Sequence, residues 1–216
     1  YMSESVMLGE SIVSKPQVAC SRKVEILKGS VQAIVSSINT NGINTSIAEH
    51  GRSVCKNLTA TVIKKDDLEV ALESLASLPA SLQNHTYTTL FLAVCAAKNI
   101  EGTKGHLHKI ISNAALFHDI GKSKLPEALR AKRAVTMTDV EFQDYQRHCE
   151  FGRDMLSEVS SIPKEVATVV FAHHELGDGT GFPHQLKKRS LSIVTRMVCL
   201  ANVLSHSISN PQAHYK

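Results

Sequence analysis

The sequence predicts an all-α domain preceded by a small segment of mixed α/β character. From about residue 46 onward, apolar residues recur at spacings of three and four, and no alternation typical of β-strands is sustained. Hydrophobic residues make up 43% of the chain, but aromatic residues only 5%, with no Trp, which suits a helical core of aliphatic side chains. Pro126, Pro163 and Pro183 interrupt the pattern where helices are expected to end.

Residues 1–44 predict a small N-terminal module. It contains three apolar stretches typical of short strands, at Val6–Leu8, Ser11–Val13 and Val24–Leu27. A short helix is expected over 31–38, ended by the turn-like residues 39–42. Two interpretations of this module stay open: it is regulatory, or it only supports the main domain structurally.

The main domain, residues 45–216, is expected to begin with two helices. Apolar residues at Ile47, Val54, Leu58 and Val62 indicate the first helix. The pair Asp66-Asp67 is typical of a helix start, and the apolar pattern that follows continues to Pro79.

Charge and cysteine content narrow the class of protein. The formal net charge of +4 is compatible with an anionic substrate but is too small to indicate DNA binding. Five cysteines without a CxxC pair indicate reduced thiols in a cytoplasmic protein. No apolar run of 18 residues occurs, so no membrane span is expected.

Residues able to bind a metal lie on the apolar faces of the expected helices. His118 continues the stripe formed by Leu107, Ile111 and Ala114, and Asp119 follows at once. Four more apolar stripes carry a similar residue: His85, His148, His173 with His174 beside it, and Asn202.

The repetition of this pattern favours a metal centre. A single histidine on an apolar face is more often a core residue bonded to a carbonyl. Burying several imidazoles and a carboxylate costs several kcal/mol per group unless each is satisfied, and a metal centre satisfies them together. A His/Asp set without cysteine suits Fe or Mn better than structural Zn. Asp119 could bridge two ions, and paired ions are the usual device for hydrolysing phosphate esters.

A glycine-rich loop follows two of these histidines directly. Residues 176–183 contain three glycines around Asp178 and end in Pro183, so their backbone N–H groups could approach an anion. The basic run 187–189 comes next. Such a run is usually a solvated surface, but its position beside the expected metal site favours phosphate binding.

Three motifs in this order resemble the HD-GYP family, a bacterial branch of the HD-domain metal-dependent phosphohydrolases. The stretch 118–122 resembles the HDIGK motif, His148 with Gly152 resembles the HxxxG element, and 173–183 resembles HHExxDGxGYP. The resemblance covers residues 45–210.

This resemblance implies a helical HD-domain bundle around two or three metal ions, often iron. It also implies an activity, the hydrolysis of cyclic di-GMP to pGpG or GMP. Carried over by position, the metal ligands would be His85, His118, Asp119, His148, His173, His174 and Asn202. Asp119 and Lys122 would be catalytic, and the substrate would be bound by Lys122, Asp178, Phe182, Lys187 and Arg196. We expect two divalent ions, with iron favoured and manganese the alternative.

The sequence departs from the family pattern at four positions. Ser81 replaces a glutamate, which argues against a third ion. Asn202 replaces an aspartate and brings no negative charge, so one ion should bind more weakly. Ser205 replaces a second aspartate, and Phe182 replaces the tyrosine of GYP and lacks its hydroxyl.

Three functions stay open from the sequence. The first is a cyclic di-GMP phosphodiesterase. The second is a non-catalytic module that binds metal and a cyclic nucleotide, or a signalling protein partner. The third is a phosphohydrolase of another nucleotide or of a phosphomonoester.

Overall fold

The computed structural model describes residues 12–15, 17–61, 75, 77–99 and 105–209. Within these residues the bounds of nine α-helices are defined: α1 Cys20–Asn41, α2 Thr45–Thr61, α3 Leu82–Asn99, α4 His106–Phe117, α5 Glu127–Arg130, α6 Asp139–Gln146, α7 His148–Ser157, α8 Lys164–Phe171 and α9 Ile193–Ser209. Short 3-10 turns span Ile120–Lys124, Ala134–Thr136 and Lys188–Ser190. The described residues form no β-strand, so the prediction of an all-α fold is confirmed there.

The strand expected at Val24–Leu27 is wrong, because these residues lie in α1. Val24, Leu27, Val31 and Ile34 recur at helical spacing and are all buried in the main core. The helix expected over 31–38 is therefore the second half of a longer one. It ends at Gly42, whose φ of 73° lies in the left-handed region that glycine tolerates.

Other parts of the N-terminal prediction have different outcomes. Ile12 and Val13 are helical, so the strand expected at 11–13 is also wrong for those two residues. The strand expected at 6–8 and most of the helix expected after Asp66 lie outside the described residues. A separate module over 1–44 stays a prediction, although α1 shares one core with α2 and α3.

Helix α3 lies at the centre of the bundle. It packs against α9, α4 and α1, and its Leu90, Phe91 and Val94 are almost fully buried. On the other side of α4, helices α7 and α8 pack together, and α7 also contacts the turn Ile120–Lys124. This arrangement brings the ends of α4, α7 and α8 to one region beside α3.

Two glycines allow this close packing. A Cβ atom on Gly121 would lie 2.5 Å from the backbone nitrogen of Gly152 and closer still to the carbonyl oxygen of His148. Since Cβ atoms essentially never approach other atoms within 3.0 Å, a residue with a side chain at 121 would force the turn away from α7. The absence of a side chain thus brings Asp119 close to His148.

Residues 139–157 form two helices, α6 and α7, rather than one continuous helix. Helix α6 starts with a capping box between Thr138 and Glu141, and Arg147 separates it from α7. Phe142 and Tyr145 pack against a small second cluster of buried residues, Leu125, Leu129 and Met137. No helix among the described residues is long and apolar enough to cross a membrane.

Candidate metal centre

Helix ends position most of the ligand-type side chains. His118 and Asp119 directly follow α4, and His148 is the first residue of α7. His173 and His174 come just after α8 ends at Phe171. The sixth residue, His85, lies in the first turn of α3. We call these six residues the Asp119 cluster. All six are buried, as their positions on apolar faces predict.

The two carboxylate oxygens of Asp119 face different histidines. Oδ2 lies 3.3 Å from Nε2 of His118 and 3.6 Å from Nε2 of His85. Oδ1 lies 3.6 Å from Nε2 of His148 and also 3.6 Å from Nε2 of His173. The ligand atoms form two compact groups that share Asp119: His85 and His118 in one, and His148, His173 and His174 in the other.

Backbone carbonyls fix the orientation of three imidazoles. Each ring places its Nδ1 within hydrogen-bond distance of the carbonyl three residues earlier: His118 to Ala115 at 2.8 Å, His148 to Tyr145 at 2.5 Å and His173 to Val170 at 2.5 Å. A carbonyl only accepts, so Nδ1 carries the proton and donates it. In the neutral ring, Nε2 then keeps a lone pair that points toward Asp119.

These lone pairs fit a bound cation. Nε2 of His148 lies 3.4 Å from Nε2 of His173, although both nitrogens are acceptors when Nδ1 carries the proton. Oδ1 of Asp119 and Nε2 of His174 are buried and find no hydrogen-bond partner among the described residues. Such an arrangement is costly unless a cation lies between the acceptors. Imidazole and carboxylate donors suit Fe, Mn or Zn.

Burial and charge hold these groups in the form that binds a metal. Burial lowers the pKa of His85, His148 and His174 well below the ordinary value, so the rings are neutral. Burial alone would raise the pKa of Asp119, but the charge of Lys122 holds it well below its usual range. The site therefore combines neutral imidazoles at His85, His148 and His174 with one ionised carboxylate.

Lys122 lies directly against the cluster. Its Nζ donates to Oδ2 of Asp119 at 2.6 Å and sits 5.3 Å from the ring centroid of Tyr145. Burial would lower the pKa of Lys122, but the Asp119 carboxylate raises it above the usual value. Lys122 thus carries a largely buried positive charge beside the centre, and its contact with a phosphate stays a prediction.

The glycine-rich loop folds back onto the centre through an aromatic contact. The ring of Phe182 stacks on that of His174, with centroids 4.4 Å apart and planes at 19°. Phe142 meets Phe182 edge-on at 5.8 Å. The buried carboxylate of Glu175 accepts hydrogen bonds from the backbone nitrogens of His184 and Leu186, at 2.6 and 2.7 Å. Glu175 therefore holds the loop in place.

The remaining residues predicted to bind substrate lie in varied surroundings. Asp178 is exposed, and its Oδ1 accepts hydrogen bonds from the backbone and hydroxyl of Thr180. Lys187 is exposed and pairs with Asp178 through the backbone. Arg196 is half-buried on α9, and its Nε has no hydrogen-bond partner among the described residues. Substrate binding by these three residues stays a prediction.

The serine and asparagine substitutions also have identifiable places. Asn202 is buried on α9, and its role as a ligand stays a prediction. Ser81 accepts a hydrogen bond from the backbone nitrogen of Asn84 at 3.1 Å, at the start of α3. Ser205 lies 2.9 Å from Nδ1 of His85, and its hydroxyl also donates to the His85 carbonyl.

Sequence reasoning missed what Ser205, Tyr145 and Glu175 do. The family pattern presents Ser205 only as a lost carboxylate, yet it lies three residues after Asn202, on the same face of α9. Its position on that face was the available signal. The contact of Tyr145 with Lys122 depends on how α6 packs, which the sequence does not indicate. Nothing in the sequence indicated that Glu175 would bond backbone nine and eleven residues later.

Comparisons with known proteins agree with this geometry. A family model described as HD domain matches residues 69–212. A cyclic di-GMP phosphodiesterase from Pseudomonas aeruginosa is 27% identical over 172 residues, which is 79% of this chain and 41% of that protein. A 3'3'-cGAMP-specific phosphodiesterase from Vibrio cholerae is 32% identical over 93 residues, covering 43% of this chain and 20% of that one.

A solved structure has the same fold. An HDG"Y"P protein from Bdellovibrio bacteriovorus aligns with a TM-score of 0.78 over 94% of this chain and 66% of that one, at 17% identity. The chain spans less than half the length of the two curated relatives.

Proposed function

The chain belongs to the HD domain family, and on that premise we propose that it is a metal-dependent phosphodiesterase that hydrolyses cyclic di-GMP to pGpG or GMP. One observation carries the proposal. The two oxygens of Asp119 each face a separate set of histidine nitrogens, 3.3 to 3.6 Å away. A shared carboxylate between two donor sets is the arrangement that a binuclear centre requires.

Each of the two proposed ions would have its own set of ligands. His85 and His118 would hold one divalent ion with Oδ2 of Asp119. The other ion would be held by Oδ1 together with His148, His173 and His174. We propose iron, with manganese as the alternative, because no cysteine belongs to either donor set. When bound, such ions supply Lewis acidity toward the phosphate and make a water nucleophile available near neutral pH.

Lys122 and Phe182 would contact the nucleotide. The Lys122 ammonium lies beside Asp119 and would offset negative charge that develops on the phosphoryl oxygens. Phe182 offers an aromatic face next to His174 but no hydroxyl, so its contribution would be limited to packing. Asp178, Lys187 and Arg196 are proposed to contact the substrate further from the centre.

Two alternatives have specific support. A relative named as 3'3'-cGAMP-specific favours a second cyclic dinucleotide as substrate. Phe182 and Asn202 lack the hydroxyl and the charge of the family pattern. That loss favours a non-catalytic module that binds metal and nucleotide, or a signalling protein partner. The cytoplasm is the proposed location, since all five cysteines are free thiols.

One experiment separates these functions. The metal content per chain is measured, and hydrolysis of cyclic di-GMP and 3'3'-cGAMP is assayed with Fe(II) or Mn(II). Asp119→Ala is expected to reduce turnover at least ~100-fold and to lower metal content, because both donor sets lose their shared ligand. Asp139→Ala, at an exposed position in the first turn of α6, is the matched control.

Each outcome selects one function. Turnover of cyclic di-GMP that depends on Asp119 supports the proposal, and turnover of 3'3'-cGAMP alone transfers it to the other substrate. Metal-loaded protein that binds nucleotide without hydrolysis identifies the non-catalytic module. Protein that takes up no metal contradicts the binuclear centre.

A further inference from the structure

The two sides of the Asp119 carboxylate differ in the positive charge that they already contact. Oδ2 accepts a hydrogen bond from the Lys122 ammonium at 2.6 Å. Oδ1 is buried and accepts no hydrogen bond among the described residues. The donor set around Oδ1 is thus free to take a cation, whereas the donor set around Oδ2 already contains one.

The helix that flanks the Oδ2 side adds no negative charge. Helix α9 touches His85 through Ser205, at 2.9 Å from Nδ1, and through His206, whose ring stacks on that of His85 at 4.1 Å. No Asp or Glu occurs anywhere in α9. Asp119 is therefore the one carboxylate in the group formed with His85 and His118, and its charge is shared with Lys122.

We propose that the Lys122 ammonium acts as a built-in cation on the Oδ2 side, so that the two ions bind unequally and in a fixed order. This inference rests on the proposed binuclear centre. The first ion binds to Oδ1 with His148, His173 and His174. The second ion binds to His85 and His118, and it binds weakly because Lys122 must leave Oδ2.

Electrostatics gives the reason for the unequal affinities. A carboxylate oxygen has two lone pairs, but an ammonium and a divalent ion on the same oxygen would repel each other across a few Å in a poorly solvated site. Binding of the second ion therefore includes the cost of moving Lys122. Once it has left Oδ2, the ammonium is free to contact a phosphate, and Tyr145 lies within reach as its next partner.

Metal titrations of the purified protein test this inference. Binding of Mn(II) is followed by calorimetry and by electron paramagnetic resonance, in which two neighbouring Mn(II) ions give a coupled spectrum. The wild-type protein is expected to bind one ion at least about tenfold more tightly than the second. Lys122→Met removes the ammonium, so the second step should tighten at least about tenfold, with the first step nearly unchanged.

Three further variants complete the design. Lys124→Met, at an exposed position in the same 3-10 turn, should leave both steps unchanged. His174→Ala should abolish binding of the tightly bound first ion. His85→Ala should abolish binding of the weakly bound second ion only. Circular dichroism of each variant identifies any that fails to fold, and the ratio of the two wild-type steps tests the inference without a variant.

The possible failures are distinguishable. Equal affinities for both ions in the wild-type protein, or an unchanged or weaker second step in folded Lys122→Met, overturns the built-in cation while leaving a binuclear phosphodiesterase intact. Loss of the tight step in His85→Ala overturns the proposed order. Absence of any metal binding to the wild-type protein overturns this inference and the proposed function together.

Discussion

Replacement of Gly121 by alanine should couple a loss of stability to a loss of metal binding. The added Cβ would lie 2.5 Å from the nitrogen of Gly152, whereas ordinary contact begins at 3.4 Å. The turn after Asp119 or the start of α7 must therefore move by about 0.9 Å or more, and both neighbours are backbone that cannot rotate away. Overpacking of this kind costs about 1–3 kcal/mol, and more where backbone must shift.

The same displacement acts on the metal centre. His148 is the residue whose carbonyl the new Cβ would strike, and its Nε2 is 3.6 Å from Oδ1 of Asp119. Misplacement by about 1 Å can reduce the rate of a positioned reaction roughly 100-fold. We expect a melting temperature lower by about 2–12 °C for a domain of this size, together with reduced metal content.

Thermal melting, metal analysis and turnover are measured on Gly121→Ala beside a matched control. Gly29→Ala adds the same atom at an exposed position in α1, where a Cβ meets nothing within 4 Å. It should stabilise the protein by about 0.5–1 kcal/mol, because alanine is the better helix former. Wild-type melting temperature and metal content in Gly121→Ala would refute the reasoning.

Two further predictions concern the histidines. Ser205→Ala removes the hydrogen-bond partner of Nδ1 in His85. It should weaken binding of the ion proposed at His85 and His118 about 10–100-fold in calorimetric titrations, with exposed Ser207→Ala as control. An unchanged affinity would show that Ser205 does not position that ring. Burial lowers the pKa of His85, His148 and His174 below 6.5, so these rings bind fewer protons folded than unfolded. After chelation of metal, the stability that they contribute should be fully present above about pH 7 and should be lost as the pH falls below 6.5, since protonation favours the unfolded chain. Melting temperatures between pH 8 and 5 check this sign, and a melting temperature that rises on acidification would contradict it.

The helical fold was largely predictable because its signal is repeated. A helix such as α4 shows its buried face through residues three and four apart, and that period does not depend on what the helix packs against. The wrong strand predictions concern short segments in which only a local residue pattern was used. Val24–Leu27 is rich in β-branched and aliphatic residues, and only the continuation of the pattern to Ile38 shows that it is helical.

For the metal centre, the sequence by itself determined which residues meet. Histidines on apolar faces must be buried and must be satisfied, so His85, His118, His148, His173 and His174 were expected to converge on Asp119, and they do. Only the tertiary structure decided how they meet. The histidines are divided between Oδ1 and Oδ2, Lys122 pairs with Oδ2, and Ser205 supports His85. Each of these contacts depends on the angles at which the helices pack and on where the helices end. A sequence pattern records which face a residue occupies, but the distances between faces arise from how closely the helices pack, as the contact at Gly121 shows.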